Sequence, residues 1–161
     1  MNNCVKWNYE DEKISMNEIM EVENMWGVKL PKDYIECAIY NHGGSPEPEE
    51  FLVEGRQRVF GCLLSYDKDS PDNILKVYNG IKERLPEKIF PFGCDPAGNY
   101  ICFDYRKSNN NPRIIFWEHE LGVMESDYSQ EQLKLIDLKE VQERAIKPIS
   151  CSFGEFLNSL F

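Results

Sequence analysis

The sequence is poor in the residues from which metal centres are built. It holds only two histidines, His42 and His119, and its six cysteines include no CxxC pair. Structural zinc sites nearly always present paired ligands two to four residues apart. The sequence therefore predicts no metal site, and we expect no other cofactor.

Long apolar runs are also missing. No segment approaches the roughly 18 apolar residues of a membrane-spanning helix, and residues 1–15 carry acidic side chains where a signal peptide has an apolar core. Cysteines without a recognisable disulfide framework are typical of a reducing compartment. We therefore expect a cytoplasmic protein with no membrane partner.

Positive charge is scarce. The chain has 18 basic and 28 acidic residues, which gives a net charge of −10 at pH 7. Nucleic-acid binding depends on cations that neutralise phosphates, so nucleic acid is excluded as a direct partner. Two interpretations of the excess acid stay open at this point. It either has a function in binding, or it only keeps the protein soluble.

Catalytic motifs are lacking too. Ser45 follows two glycines but precedes prolines and glutamates, so it forms no nucleophile elbow. Residues 93–98 have the glycine spacing of a P-loop without its Lys-Ser/Thr ending, and they join two predicted strands as a turn. The position of His42 predicts a cation at a helix C-terminus, and that of His119 a solvated strand edge. We expect no catalytic residue and no enzyme activity.

The residues that are present predict an α+β fold. The length of 161 residues and the 42% hydrophobic content fit one domain over residues 1–161. Ser15 and Glu18 form a capping box that opens a helix ending at Gly27, and a second helix begins at Pro31. Residues 152–161 form a last helix, capped by Ser152 and Glu155.

The middle of the chain has the pattern of a sheet. Residues 45–50 are predicted to be an exposed acidic loop, and residues 70–72 to begin a third helix. Residues 130–146 are predicted to be partly helical. Short apolar runs predict strands at residues 51–54, 58–66, 88–92, 100–105 and 113–118. This order indicates helices packed on a mostly antiparallel central sheet.

Two segments concentrate the acid. Residues 33–55 and residues 118–131 contain no Lys or Arg. Complementarity to a basic partner speeds association by orders of magnitude. The candidate contacts are Glu47, Glu49, Glu50 and Glu54, followed by Glu118, Glu120 and Asp127.

Four motifs resemble the SUKH superfamily (Smi/Knr-like proteins). Leu30-Pro31, Tyr34 and Asn41-His42-Gly43-Gly44 are similar to its LPxDY…NGG segment. Residues 89–104 resemble its glycine-aspartate hairpin, residues 114–120 its aromatic strand, and residues 150–157 its closing SFxEFL helix. The segment 122–147 is longer than the family pattern, and His42 replaces a small residue.

The resemblance implies an α+β fold and a bacterial immunity role. Such proteins bind and neutralise a cognate toxin, often a nuclease of a polymorphic or contact-dependent system. Because nuclease clefts are basic, an acidic protein can occlude them. The alternative that the resemblance leaves open is a non-enzymatic regulatory or scaffold module, like the yeast cell-wall-synthesis regulator of the superfamily.

Overall fold

The computed structural model describes residues 4–161, which form a central antiparallel sheet, two short strand pairs and six helices. The strands are β1 (Lys6–Asn8), β2 (Ser45–Glu47), β3 (Glu50–Val53), β4 (Arg56–Val59), β5 (Cys62–Leu63), β6 (Ile89–Cys94), β7 (Tyr100–Asp104), β8 (Arg113–Trp117) and β9 (Ile146–Ser150). The helices are α1 (Met16–Trp26), α2 (Lys32–Asn41), α3 (Ile74–Ile81), α4 (Gln130–Leu133), α5 (Leu138–Glu143) and α6 (Phe153–Asn158). The predicted α+β class is confirmed.

The central sheet has the strand order β5-β6-β7-β8-β9, with every pair antiparallel. The predicted meander corresponds to β6, β7 and β8. Ile101, Cys102 and Phe103 of β7 are all fully buried, which explains why apolar and polar residues do not alternate there. The edge strand β9 was missed by the prediction, because Pro148 and Lys147 interrupt its apolar pattern.

Helices α1, α2 and α6 cover the first face of the sheet. The predicted capping box of Ser15 and Glu18 is present, and Gly27 ends α1 with a φ of 70°, which glycine adopts without strain. Ser152 accepts a hydrogen bond from the Glu155 backbone at 3.1 Å and so begins α6. The buried aromatic side chains on this face include Trp26, Tyr34, Phe90, Phe92, Phe103, Phe153 and Phe156.

The second face is covered by the segment between β8 and β9. Its core is a smaller cluster that contains Trp117, Ile115 and Ala145. The amide of Gln142 donates to the carbonyls of Glu83 and Val123 at 3.0 Å and fixes α5 over the sheet. The segment holds two short helices, which agrees with the partly helical character predicted there.

Two local predictions are wrong. Residues 45–50 do not form a free loop, since β2 pairs with β1 and Pro46 is buried against it. The third helix starts after Asn73 rather than at residues 70–72. The Asn73 side chain accepts from the backbone of Leu75 and Lys76 at 3.1 Å and caps the helix, whereas the Ser70 side chain accepts from the Asp72 backbone in the turn before it.

Strands β3 and β4 form a hairpin that contains the last part of the first acidic segment, residues 50–55. Its turn residues Glu54 and Gly55 have positive φ values of 50° and 77°, as a two-residue hairpin turn of type I′ requires. Phe51 and Val53 point into the core, at 1% and 3% exposure. The alternate residues of β3 therefore face outward.

Within residues 4–161, no helix combines the length and the apolar character needed to cross a membrane.

Candidate partner-binding surface

The outward face of β3 combines acidic and apolar side chains. Glu50 and Leu52 alternate with the buried Phe51 and Val53, Glu54 follows in the turn, and Leu52 is 54% exposed. A leucine at that exposure is unremarkable alone. Here, however, it lies between Glu50 on the same strand face and Glu54 in the adjoining turn, which is the arrangement of an apolar contact with an acidic rim.

Phe161 extends this face on the other side of β3. The backbones of Glu50 and Phe161 exchange two hydrogen bonds of 3.1 and 3.0 Å, and the Phe161 side chain is 53% exposed. Directly opposite residues of an antiparallel pair lie on the same face. Phe161 is therefore across from Glu50 and diagonal to Leu52. We call the outward side chains of Glu50, Leu52, Glu54 and Phe161 the hairpin face.

Glu47 and Glu49 lie just before the hairpin face and are exposed. Glu47 ends β2 and accepts a hydrogen bond from the amide of Asn8 at 3.3 Å. The carbonyl of Glu49 accepts from the backbone N–H of Phe60 at 2.7 Å, and the residue is exposed. Among residues 4–161, neither carboxylate has a basic ion-pair partner.

Two of the predicted contacts pair with cations brought in by the fold. The carboxylate of Glu54 lies 4.0 Å from the Lys147 ammonium, and that of Glu118 lies 3.4 Å from the Arg58 guanidinium. Arg58 also stacks over the Phe116 ring, 5.1 Å from its centroid. These pairs join the hairpin to β8 and β9. They place Glu118 near the hairpin, where its carboxylate is already paired with Arg58.

The remaining two predicted contacts lie in the segment after β8. Glu120 is exposed in a 3₁₀ turn and has no ion pair within the described residues. Asp127 is bound by the Arg84 guanidinium at 2.9 Å and accepts from the Met124 backbone at 2.9 Å. The backbone bond, assisted by Arg84, lowers the pKa of Asp127. Asp127 therefore stabilises its own turn, apart from the hairpin face.

The aspartate of the glycine-aspartate hairpin holds the turn between β6 and β7. Asp95 is 7% exposed and accepts from the backbones of Ala97 and Asn99 at 2.9 and 2.8 Å. The Asn99 side chain bonds the backbone N–H and the Nδ1 atom of His119 at 3.0 and 2.8 Å. His119 is thus linked to the turn, where the sequence predicted only a solvated edge.

A second motif aspartate clamps the far end of β7. Asp104 is 2% exposed and binds the guanidinium groups of Arg106 and Arg113 at 3.0 and 2.7 Å. Arg106 continues to Glu143 of α5. Burial raises the pKa of Asp104, but the hydrogen bonds from Arg106 and Arg113 outweigh that effect and leave it below the ordinary value.

His42 has a different role from the predicted helix-terminal cation. The residue is 1% exposed, its Nδ1 accepts from the backbone of Tyr66 at 3.0 Å, and its Nε2 contacts the carbonyl of Glu12 at 2.6 Å. Because Nδ1 accepts, the ring is the neutral tautomer that donates from Nε2. His42 joins the end of α2 to two loops of the core.

Sequence reasoning did not identify Leu52 and Phe161. The alternation along the strand could have predicted that Leu52 is exposed. It places Leu52 on the same face as Glu50 and on the opposite face from Phe51 and Val53. No local pattern could place Phe161 beside Glu50, because the two residues meet only through the tertiary fold. Within the described residues, no group of three His, Cys, Asp or Glu side chains converges as metal ligands would.

Comparison with known sequences identifies the family of this α+β chain. The model of the SMI1/KNR4 family (SUKH-1) matches residues 13–159. The chain is also similar to the SPbeta prophage-derived uncharacterized protein YokK of Bacillus subtilis (strain 168), at 32% identity over 136 residues, covering 71% of this chain and 68% of that protein. The chain belongs to the SMI1/KNR4 (SUKH-1) family.

Proposed function

We propose that this chain is an immunity protein that binds a cognate bacterial toxin and neutralises it by occlusion, without catalysis. Membership of the SMI1/KNR4 (SUKH-1) family is compatible with this role, and the likeness to a prophage-derived protein fits a mobile toxin system. The surface that we propose for toxin binding is the hairpin face, where exposed Leu52 and Phe161 adjoin Glu50 and Glu54. This surface is the observation on which the proposal rests.

The composition of the hairpin face suits a protein partner. Binding energy at protein interfaces concentrates in a few apolar or aromatic anchors that become fully buried, while charged side chains at the rim steer the encounter. Leu52 and Phe161 supply anchors, at 54% and 53% exposure in the free chain. Glu47 and Glu49, which have no cation partner among the described residues, supply an acidic rim beside them.

The charge of the chain supports a proposal about the surface of the toxin. A net charge of −10 and an acidic rim favour a partner with a basic surface. A nuclease toxin has such a surface, because its cleft binds phosphates. We therefore propose that the hairpin face covers the basic cleft of a nuclease toxin in the cytoplasm. Glu118 and Glu120 would extend the contact, and Asp127 would contribute least because Arg84 already neutralises it.

Co-expression tests this function. The chain is produced in cells together with the toxin encoded by the neighbouring gene, and cell survival is measured. The control cells produce the same toxin with a Leu52 variant that still folds. We expect survival with the unaltered chain and loss of protection with the variant. Death of cells that contain abundant soluble unaltered chain would contradict the proposal and favour the regulatory or scaffold alternative.

A further inference from the structure

Two cysteines face each other on neighbouring strands at one edge of the central sheet. Cys62 of β5 is directly opposite Cys94 of β6 in the strand register. Directly opposite residues of antiparallel strands have Cα atoms about 4.5–5.5 Å apart, within the separation that a disulfide spans without backbone movement.

The two thiols are already in contact. Their sulfur atoms are 2.8 Å apart, and both residues are half-buried, so a small reagent can reach them. In residues 4–161 the other four cysteines differ from this pair. Cys102 is fully buried, Cys37 accepts a weak hydrogen bond from Asn41, and Cys4 and Cys151 are exposed.

The hydrogen bond between the thiols makes them chemically unequal. It lowers the pKa of Cys94 and, together with burial, raises the pKa of Cys62. Burial raises the pKa of Cys37 to about 11, so that thiol is a poor nucleophile. The lowered pKa favours Cys94 as the attacking sulfur of the pair, with Cys62 as its protonated neighbour.

We propose that Cys62 and Cys94 are an oxidation site that forms a reversible intramolecular disulfide with a peroxide as the oxidant. The Cys94 thiolate attacks one peroxide oxygen, the O–O bond breaks, and the leaving hydroxide takes up the proton lost by Cys94 to become water. Cys62 then attacks the resulting sulfenic sulfur, forming the S–S bond and releasing a second water. The two thiols supply two electrons, which reduce the peroxide.

The disulfide would fasten the weakest edge of the sheet. Strand β5 contains only Cys62 and Leu63, and the backbone of Leu63 also bonds Gly43 and Gly44 at the end of α2. Between the two cysteines lies the whole of α3. A crosslink that closes a segment of this length restricts the unfolded chain and so stabilises the fold. Oxidation is therefore expected to raise the melting temperature by roughly 5–15 °C.

The test uses the full chain with Cys4→Ser and Cys151→Ser, which prevents crosslinks between molecules. This protein is treated with hydrogen peroxide, its free thiols are alkylated, and peptides are mapped by mass spectrometry. We expect a peptide that joins residues 62 and 94, lighter by two hydrogens than its parts, together with the higher melting temperature. Dithiothreitol is expected to reverse both changes.

Two further variants separate this pair from general thiol oxidation. Cys37→Ser removes another half-buried thiol and should leave the crosslink unchanged, whereas Cys62→Ser should stop the reaction at a sulfenic acid on Cys94. Independent alkylation of Cys62 and Cys94 after oxidation would overturn the proposal, as would a crosslink through any other cysteine. If the crosslinked chain kept the melting temperature of the reduced chain, the proposed stabilisation of the β5 edge by the disulfide would be wrong. The chain alone is tested, so the result does not depend on toxin binding.

Discussion

Glu50 and Phe161 are joined by a reciprocal pair of backbone hydrogen bonds of 3.1 and 3.0 Å. This pairing places an exposed aromatic ring beside the acidic outer face of β3, close to Leu52. Strand β3 is thus held by β4 on one side and by Phe161 on the other. A surface with both apolar and acidic character results from two parts of the chain that are far apart in sequence.

Replacing Leu52 should weaken toxin binding without affecting the fold. We expect Leu52→Ser to lower affinity by roughly 10- to 100-fold, since truncating a buried interface anchor commonly costs about 2 kcal/mol or more. Titration calorimetry with the purified toxin measures the change. Leu135→Ser is the matched control, because Leu135 is 86% exposed between α4 and α5 and should leave affinity unchanged. Equal effects of both substitutions would refute a specific hairpin face.

Reversing the acidic rim should act mainly on the association rate. Glu47→Lys with Glu49→Lys is expected to slow association by roughly tenfold at low salt and to flatten its salt dependence, because rim charges steer the encounter. Stopped-flow or surface-binding kinetics give the rates. Glu131→Lys with Glu140→Lys makes the same change of net charge on exposed residues of α4 and α5. A similar slowing by this control would mean that net charge, rather than the rim, attracts the toxin.

Removing the charge of Asp104 should destabilise the sheet and its attachment to α5. We expect Asp104→Asn to reduce the free energy of unfolding by roughly 2–4 kcal/mol, because it leaves Arg106 and Arg113 without their shared carboxylate. Asp69→Asn, in an exposed turn, should change it by less than about 0.5 kcal/mol. Urea unfolding at pH 7 measures both, and equal small effects would contradict the clamp.

The pH dependence of the same variant follows from the lowered pKa of Asp104. A carboxylate whose pKa is lower in the folded than in the unfolded state contributes stability above the unfolded value of about 4. That contribution is lost as the pH falls through the lower folded value. The difference in stability between the wild-type chain and Asp104→Asn should therefore shrink as the pH drops below about 4. Urea midpoints that keep a constant difference down to pH 2 would contradict this assignment.

Two glycines should respond oppositely to alanine. A Cβ atom at Gly122 would lie 2.4 Å from the ring of buried Trp117, so Gly122→Ala should cost roughly 1–3 kcal/mol of stability. A Cβ atom at Gly80 in α3 would meet nothing within 4 Å, so Gly80→Ala should stabilise the chain by roughly 0.5–1 kcal/mol. Thermal unfolding distinguishes the two signs. Destabilisation by Gly80→Ala would show that the surroundings of α3 differ from this description.

Local sequence signals predicted those elements whose structure is set by neighbouring residues. The capping box of Ser15, the left-handed stop at Gly27 and the turn around Asp95 depend on contacts within a few positions. The predicted fold class followed from the order of these elements. Strand β9 and the β1–β2 pair were missed because a short or proline-containing segment becomes a strand only when a distant partner pairs with it.

The candidate surface could be predicted only in part for the same reason. The sequence showed that residues 33–55 contain no basic residue, but not that Lys147 and Arg58 would reach Glu54 and Glu118. It also gave no indication that Phe161 pairs with Glu50. Ion pairs and exposed apolar contacts between distant residues require the tertiary fold. The family motifs, in contrast, mark residues that hold turns and strands together.

Inhibition of the purified toxin by the purified chain tests the central claim most directly. The toxin's activity is measured while the wild-type chain is added in increasing amounts, with Leu52→Ser and Leu135→Ser in parallel. We predict that activity falls to zero at one chain per toxin for the wild type and for Leu135→Ser, and that Leu52→Ser needs a large excess. Full toxin activity at a saturating concentration of the correctly folded wild-type chain would contradict the account.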